Sequence, residues 1–355
     1  MMKISLNKKY IAAIIAAIII VACALPLRQF LGKPSVKFLL HMSELTTPKN
    51  YTTEEQFFNT SPAKSMGVMI YRHKNIKSNK YYLIVHGLTP QDYNHPAMHL
   101  LASSICDATG MNVIKPYIKS QTKDEHNLVA ALVENIAFAY KTLNEKIPGD
   151  YRAMGGCIGA TSMLIAFERV PRIIYPKKVL LFGPVFNGKA MLDFYNKAGV
   201  NVDFIVKLAV SLTNDIYNEN EKKLIQKAFN AVKPGETDKN EMKKILGSGL
   251  YNDLLMLKVR NSEFEDLDLS RVLLHNNSFP DCEYFILHSA NDSIVPKAQG
   301  EALFNFMKKH GYYTNFIGTE IFDHSANKVT ATGFIKEMKY LINFFDELFK
   351  GDNEL

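Results

Sequence analysis

"YRAMGGCIGATSMLIAFE", residues 151–168, runs from a strand-like stretch through Gly155-Gly156-Cys157-Ile158-Gly159 into an apolar stretch with helical spacing. Glycines two positions before and two after a reactive side chain mark a backbone turn too sharp for a Cβ at either place. This is the G-x-S-x-G frame of a strained strand-to-helix elbow, with a thiol where a hydroxyl is expected. A helix N-terminus favours an anion, which suits Cys157 as a thiolate nucleophile. The same frame accommodates Cys157 as a small packing residue, a common fate of a free thiol. The choice between the two depends on whether the rest of the chain supplies a base, an acid and an oxyanion site.

On both sides of this stretch, strand and helix signals alternate. Strands are predicted at 67–73, 81–87, 111–116, 177–184, 282–289 and 313–320, and helices at 95–110, 122–145, 157–169, 297–310 and 329–349. "YYLIVHG" (81–87) is apolar through its strand portion, as a strand buried on both faces must be. The alternation predicts an α/β fold, with a mostly parallel central sheet flanked by helices. It breaks once, between "LLFGPV" and "CEYFIL", where residues 187–280 show helical periodicity and many lysines. Apolar runs such as "DFIVKLAVSL" (203–212) need a surface to cover, so the segment reads as a helical cap inserted after the sixth strand. The α/β core is then 66–186 together with 281–350, and 31–65 reads as a polar connector with a short amphipathic piece around Phe38–Met42.

Residues 1–30 read as a membrane anchor or signal segment. Lys3, Lys8 and Lys9 precede an apolar run from Tyr10 to Leu27 that closes at Arg28. Eighteen residues rise about 27 Å as a helix, slightly short of a hydrocarbon core of roughly 30 Å. Three readings stay open: an uncleaved single-pass helix, a lipoprotein signal with Cys23 as the acylated residue of Ile20-Val21-Ala22-Cys23, and a plain cleaved signal. Each puts the globular part outside the cytoplasm, most naturally on the periplasmic side of a bacterial membrane. The 355 residues are 47% apolar with a net charge of +7, ample for a large core and spread too evenly to argue for nucleic acid. Four cysteines without metal-ligand spacing, and no dinucleotide fingerprint, predict no cofactor and no metal.

In an open α/β sheet, reactive groups gather on loops beyond the carboxyl ends of the strands. "IVHGLTP" (84–90) places His86-Gly87 where the first oxyanion donor belongs. The N–H groups of Leu88 and Ile158 would then bind a tetrahedral intermediate's oxygen, with His86 as a structural hydrogen-bonding residue. "ILHSANDSIVP" (286–296) offers Asp292 just past a strand, suited to holding a histidine, although Asn-Asp-Ser would equally make a turn. "IFDHSANK" (321–328) offers His324, the one histidine of ten that follows the last predicted strand. Nucleophile, acid, histidine is the chain order of this architecture.

From about Gly67 to Phe349 the sequence resembles the α/β-hydrolase superfamily, most closely bacterial hydrolases with "HGLTP" after the third strand and "HSANDSIVP" after the seventh. The resemblance implies a Cys157–His324–Asp292 triad, oxyanion donors at Leu88 and Ile158, and elbow glycines at Gly155 and Gly159. Two positions depart from the family's usual pattern: cysteine replaces serine at 157, and Ser289 replaces glycine after His288. The expected activity is hydrolysis of a small acyl ester or thioester, with a lipid among the candidate substrates. Acyl transfer through the same thioester, or a degenerate fold kept for binding, are the competing readings.

Overall fold

The computed structural model describes residues 27–61, 64–87, 94–118, 128–171, 174–197, 202–212, 216–232, 239–257, 267–275, 282–292, 294–321 and 331–351. Their organising element is one eight-stranded sheet: β1 (Tyr51–Ser61), β2 (Lys64–His73), β3 (Lys80–Val85), β4 (Asn112–Pro116), β5 (Asp150–Gly156), β6 (Lys178–Phe182), β7 (Glu283–Ser289) and β8 (Thr314–Thr319). The spatial order is β1-β2-β4-β3-β5-β6-β7-β8. β2 runs antiparallel to both β1 and β4, and every other neighbouring pair is parallel. The carboxyl ends of β3, β5, β6, β7 and β8 therefore share one edge.

The strands are buried because helices cover both faces. One face holds Leu83, Val85, Ala153, Leu181 and Ile286 in a cluster with Ile136, Tyr140, Met163, Leu164 and Leu303. These come from three helices, Leu128–Lys146, Cys157–Phe167 and Lys297–Lys309. The other face holds Tyr82, Ile84, Val113, Met154, Leu180 and Phe285 against Pro96–Thr109 and Ala331–Leu348. The helix at 157–167 has no polar face: Ile158, Ala160, Thr161, Ser162, Met163, Leu164, Ala166 and Phe167 are all buried, as a helix packed on all sides requires.

The reading of 31–65 as a connector is corrected here. Residues Leu27–Gly32 (α1) and Pro34–Met42 (α2) are helical, and 51–61 is strand β1. Phe30, Val36, Phe38 and Leu39 are buried, and the Phe38 ring lies 4.8 Å from Phe345 and 5.4 Å from Phe349 between centroids. Burial of one such phenylalanine contributes about 1.5–3 kcal/mol, so this stretch belongs to the body. β1 escaped notice because it is an edge strand whose side chains are largely exposed, leaving little apolar alternation to read. The apolar run from Tyr10 lies outside the described residues, save Leu27. Among the described residues no helix is long and apolar enough to cross a membrane.

Between β6 and β7 the described chain is helical: Gly188–Lys197, Val202–Ser211, Glu219–Ala231, Lys239–Leu246, Ser248–Met256 and Leu269–His275. Entry and exit of this insertion are paired. Gly188 N–H donates to Leu267 O at 2.7 Å, Leu269 N–H donates to Phe186 O at 3.0 Å, and Asn187 bridges Asp268. The buried Gln299 Oε1 accepts the N–H groups of Phe186 and Asn187 at 3.0 and 2.8 Å.

A buried carboxylate fastens the N-terminal helices. Asp107, 2% exposed at its side chain, takes Lys37 Nζ at 2.6 Å, Asn50 Nδ2 at 2.9 Å and Lys49 N–H at 2.9 Å. Burial works to raise this carboxyl, but the donors outweigh it and hold it down at about 2. His41 lies 3.3 Å from the same carboxylate, yet burial prevails over that attraction and lowers its pKa. Both groups bind protons more readily when unfolded. The stability they contribute is present above their unfolded pKa values and is lost on acidification, from below about pH 6.5 for His41 and between about pH 4 and 2 for Asp107. Asp107→Ala removes the acceptor shared by Lys37, Asn50 and the Lys49 N–H, leaving the Lys37 amine only the carbonyl of residue 107, and should cost about 3 kcal/mol in urea unfolding. Amide exchange in 34–42 should accelerate as pH falls from 7 to 5, once intrinsic rates are corrected.

Candidate active site

Strand β5 ends at Gly156 and the helix begins at Cys157 without an intervening loop. Reversing direction over so few bonds puts Cys157 in the left-handed region, φ 52°. For an L-residue that conformation costs about 1–2 kcal/mol, and strain of this kind concentrates at functional positions. Three glycines around the turn have no room for a side chain, whereas a Cβ on Gly156 would meet open space. A Cβ on Gly155 would come within 2.7 Å of Ala160 Cα, and one on Gly159 would overlap the His86 carbonyl. A Cβ on Gly87 would lie 2.9 Å from both Cys157 Cβ and Gly156 O, so the His86-Gly87 turn abuts the elbow directly. Gly87 thus joins Gly155 and Gly159 as a steric requirement, which its place in a short His-Gly dipeptide did not reveal.

The three described cysteines differ in environment. Cys157 is partly exposed, whereas Cys106 and Cys282 are buried. Burial, with help from the Asp107 charge, pushes the Cys106 thiol up to about 12, which removes it as a nucleophile at neutral pH. Cys23 lies outside the described residues. Ile158, second residue of its helix, is buried, and its N–H is among the four that no helical carbonyl can reach. Leu88, the other expected oxyanion donor, lies outside the described residues.

His86 is 1% exposed, with Nδ1 2.7 Å from Gly87 O and Nε2 2.9 Å from Ile118 O. The ring lies between two backbone carbonyls, to one of which a neutral imidazole donates its single N–H, which gives it a structural role in bracing the turn.

Asp292 follows β7. Its Oδ1 accepts the N–H groups of Ile294 and Val295, each at 2.8 Å. Its side chain is 1% exposed and its Oδ2 lies 3.7 Å from Nε2 of the fully buried His288. That ring nitrogen is itself 2.8 Å from Val295 O, so His288 braces the acid's turn. A Cβ on Gly183, at φ 54° after β6, would lie 3.5 Å from Asp292 Oδ2, an ordinary van der Waals contact. β7 lies two strands from β5, which at about 4.8 Å per strand is roughly 10 Å. His324 lies outside the described residues; the last described residue before it is the buried Ile321, two positions beyond β8, which pairs with β7.

The insertion reaches this edge as well. Tyr195, on the helix Gly188–Lys197, is 1% exposed, and its hydroxyl donates to Ile294 O in the acid's turn. The sequence carried no signal for this contact, because Tyr195 reads as one more apolar-face residue of an amphipathic helix. Among the described residues no cluster of three or more His, Cys, Asp or Glu could hold a metal.

The left-handed φ at Cys157 predicts an ordering between two variants that both lack sulfur. Glycine adopts that conformation freely and alanine does not. Cys157→Gly should therefore be about 1 kcal/mol more stable than Cys157→Ala in urea unfolding.

No family model and no curated relative matches the chain. Solved structures do. Carboxyl esterase 2 of the fungus Tuber melanosporum superposes with a TM-score of 0.51 at 15% identity, covering 86% of this chain and 88% of that one. Brefeldin A esterase, described as a bacterial homologue of human hormone-sensitive lipase, gives 0.53 at 10% identity over 99% and 87%. A thermophilic carboxylesterase cloned from a metagenomic library gives 0.52 at 14% identity over 91% and 97%. At these identities the likeness speaks for architecture, and it agrees with the sheet order and the elbow: the chain has the α/β-hydrolase fold.

Proposed function

We propose that the chain is an acyl hydrolase that cleaves an ester or thioester through a covalent intermediate on Cys157, with His324 as base and Asp292 as its partner. The observation that carries the reading is the thiol-bearing residue at φ 52° on a strand-to-helix reversal, at the same sheet edge as a buried carboxylate fixed by two amides. Neighbouring structures named as esterases support the class of reaction.

His324 takes the Cys157 proton as Sγ adds to the acyl carbonyl, and the N–H groups of Leu88 and Ile158 receive the resulting oxyanion. Collapse breaks the bond to the leaving alcohol or thiol, which departs with the proton from the imidazolium. Water, deprotonated by His324, then adds to the thioester. The carboxylic acid leaves, and Sγ recovers its proton. Asp292 holds one tautomer of the imidazole and stabilises its charged form. Two amides saturate Oδ1, so Oδ2 is the oxygen positioned to accept from the ring.

In this reading residues 187–280 form a helical cap over the strand ends and shape the acyl pocket, supported by the Tyr195–Ile294 contact. Residues 1–30 hold the protein at the outer, periplasmic face of a membrane. Helix α1 packs into the body through Phe30, so an anchor ending near Leu27 would join the body without a flexible spacer, close to a lipid surface.

Cys157→Ala should lower turnover of p-nitrophenyl butyrate by about a thousandfold or more, and activity within twofold of the unmodified protein would overturn the assignment. Iodoacetamide at neutral pH should alkylate Cys157 while Cys106 and Cys282 stay unmodified, as read by peptide mass mapping. In cells, the protein should sediment with membranes, and the mass of its N-terminal peptide would distinguish an acylated Cys23 from an intact or a removed segment. Recovery in the cytoplasmic fraction would overturn the membrane reading.

A further inference from the structure

We propose that Tyr195 is a positioning residue for the acid: its hydroxyl, carried in on the first helix of the insertion, clamps the Ile294 carbonyl and so fixes the turn whose amides hold Asp292. This inference rests on the Cys157–His324–Asp292 reading and adds to it a route by which the insertion acts on the chemistry.

Ile294 is tied at both of its backbone groups. Its N–H donates to Asp292 Oδ1 at 2.8 Å, and its carbonyl accepts from Tyr195. The next residue is held the same way, with its N–H on Oδ1 at 2.8 Å and its carbonyl 2.8 Å from His288 Nε2. The turn at 292–295 is thus fixed from the sheet side by His288 and from the insertion side by Tyr195. Ile294, Val295, Tyr195 and His288 are all buried. A buried phenol needs an acceptor, and here the acceptor belongs to the residue whose amide orients the acid. Burial, then the charges of Asp292 and Cys157, push the Tyr195 phenol pKa up, so the hydroxyl stays protonated and able to donate throughout the working pH range. A misplacement of about 1 Å in a catalytic constellation costs on the order of a hundredfold in rate, so a turn held on one side only would be felt in turnover.

The bland alternative is that Tyr195 is a packing residue whose ring alone matters. Tyr195→Phe keeps the ring and removes the hydroxyl, which separates the two. The measurement is the pH dependence of Cys157 alkylation by iodoacetamide in the full-length protein, with steady-state hydrolysis of p-nitrophenyl butyrate beside it. A well-placed Asp292 favours the imidazolium and with it the thiolate. Asp292→Asn should therefore move the alkylation profile to higher pH. Tyr195→Phe should move it the same way by a smaller amount, and should lower kcat about tenfold with KM within twofold. The double variant should shift no further than Asp292→Asn alone. Phe194→Ala, on the adjacent and partly exposed position of the same helix, should leave the profile in place. An unmoved profile in Tyr195→Phe beside a shifted one in Asp292→Asn would overturn the positioning role and leave the triad standing. An unmoved profile in Asp292→Asn would overturn both. An equal shift in Phe194→Ala would reduce the effect to general loosening of the helix and overturn the proposal.

Discussion

The reversal of the backbone at residue 157 is the constraint on which the rest depends. A strand that becomes a helix within one residue must place that residue at positive φ, and the helix must then start under the edge of the sheet. Three consequences follow from this one geometry. The side chain at 157 is lifted to the edge, partly exposed, while the ten residues after it form a helix packed almost entirely inside. The first free N–H groups of that helix point towards the same edge. The chain on either side, and the His86-Gly87 turn against it, approach so closely that a Cβ at Gly155, Gly159 or Gly87 would collide. The turn at 157 is thus hemmed in by Ala160 within the helix and by the His86-Gly87 turn after β3.

The sheet distributes the other roles by strand position. The elbow follows β5, Asp292, the proposed acid, follows β7 two strands away, and the described chain runs on from the neighbouring β8 only as far as Ile321. A carboxylate removed from water is costly unless its oxygens are satisfied. Asp292 meets that demand at Oδ1 with two backbone amides, while its Oδ2 lies 3.7 Å from the buried His288 Nε2. The electrostatic arrangement at the opposite end of the molecule differs. Asp107 is satisfied by a lysine, an asparagine and an amide drawn from three points of the N-terminal stretch, and its consequence is attachment rather than chemistry.

How much of this was legible in the sequence differs from element to element. Central strands buried on both faces appear as apolar runs, so β3, β5, β6 and β7 were visible, as was the helix after the elbow. Gly155 and Gly159 announced the turn through their spacing about residue 157, although only the clash at Gly155 is local and that at Gly159 is with the distant His86 carbonyl. The polar edge strand β1 was hidden, and so was the docking of 27–42, whose few apolar residues look like a short amphipathic piece until Phe345 and Phe349 are known to lie opposite. Tyr195, Gln299 and Gly87 escaped for one reason: each acts on a partner distant in sequence, and nothing in its own neighbourhood records that partner. Asp292 was identifiable as a loop aspartate after a strand, but its two amide donors came only with the fold. His324 and Leu88 were read from chain order and motif, and both lie outside the described residues.

The hydrogen-bonded neck at 186–188 and 267–269 bears on how such a protein diverges. The insertion leaves the core and returns to it at adjacent points, locked together by two backbone bonds and secured beneath by Gln299. Whatever is spliced between those points closes on itself without altering the spacing of β6 and β7, so lengthening, trimming or exchange of the helices leaves the sheet intact. Variation then has a module to act on, while the strands that carry the elbow and Asp292 keep their register.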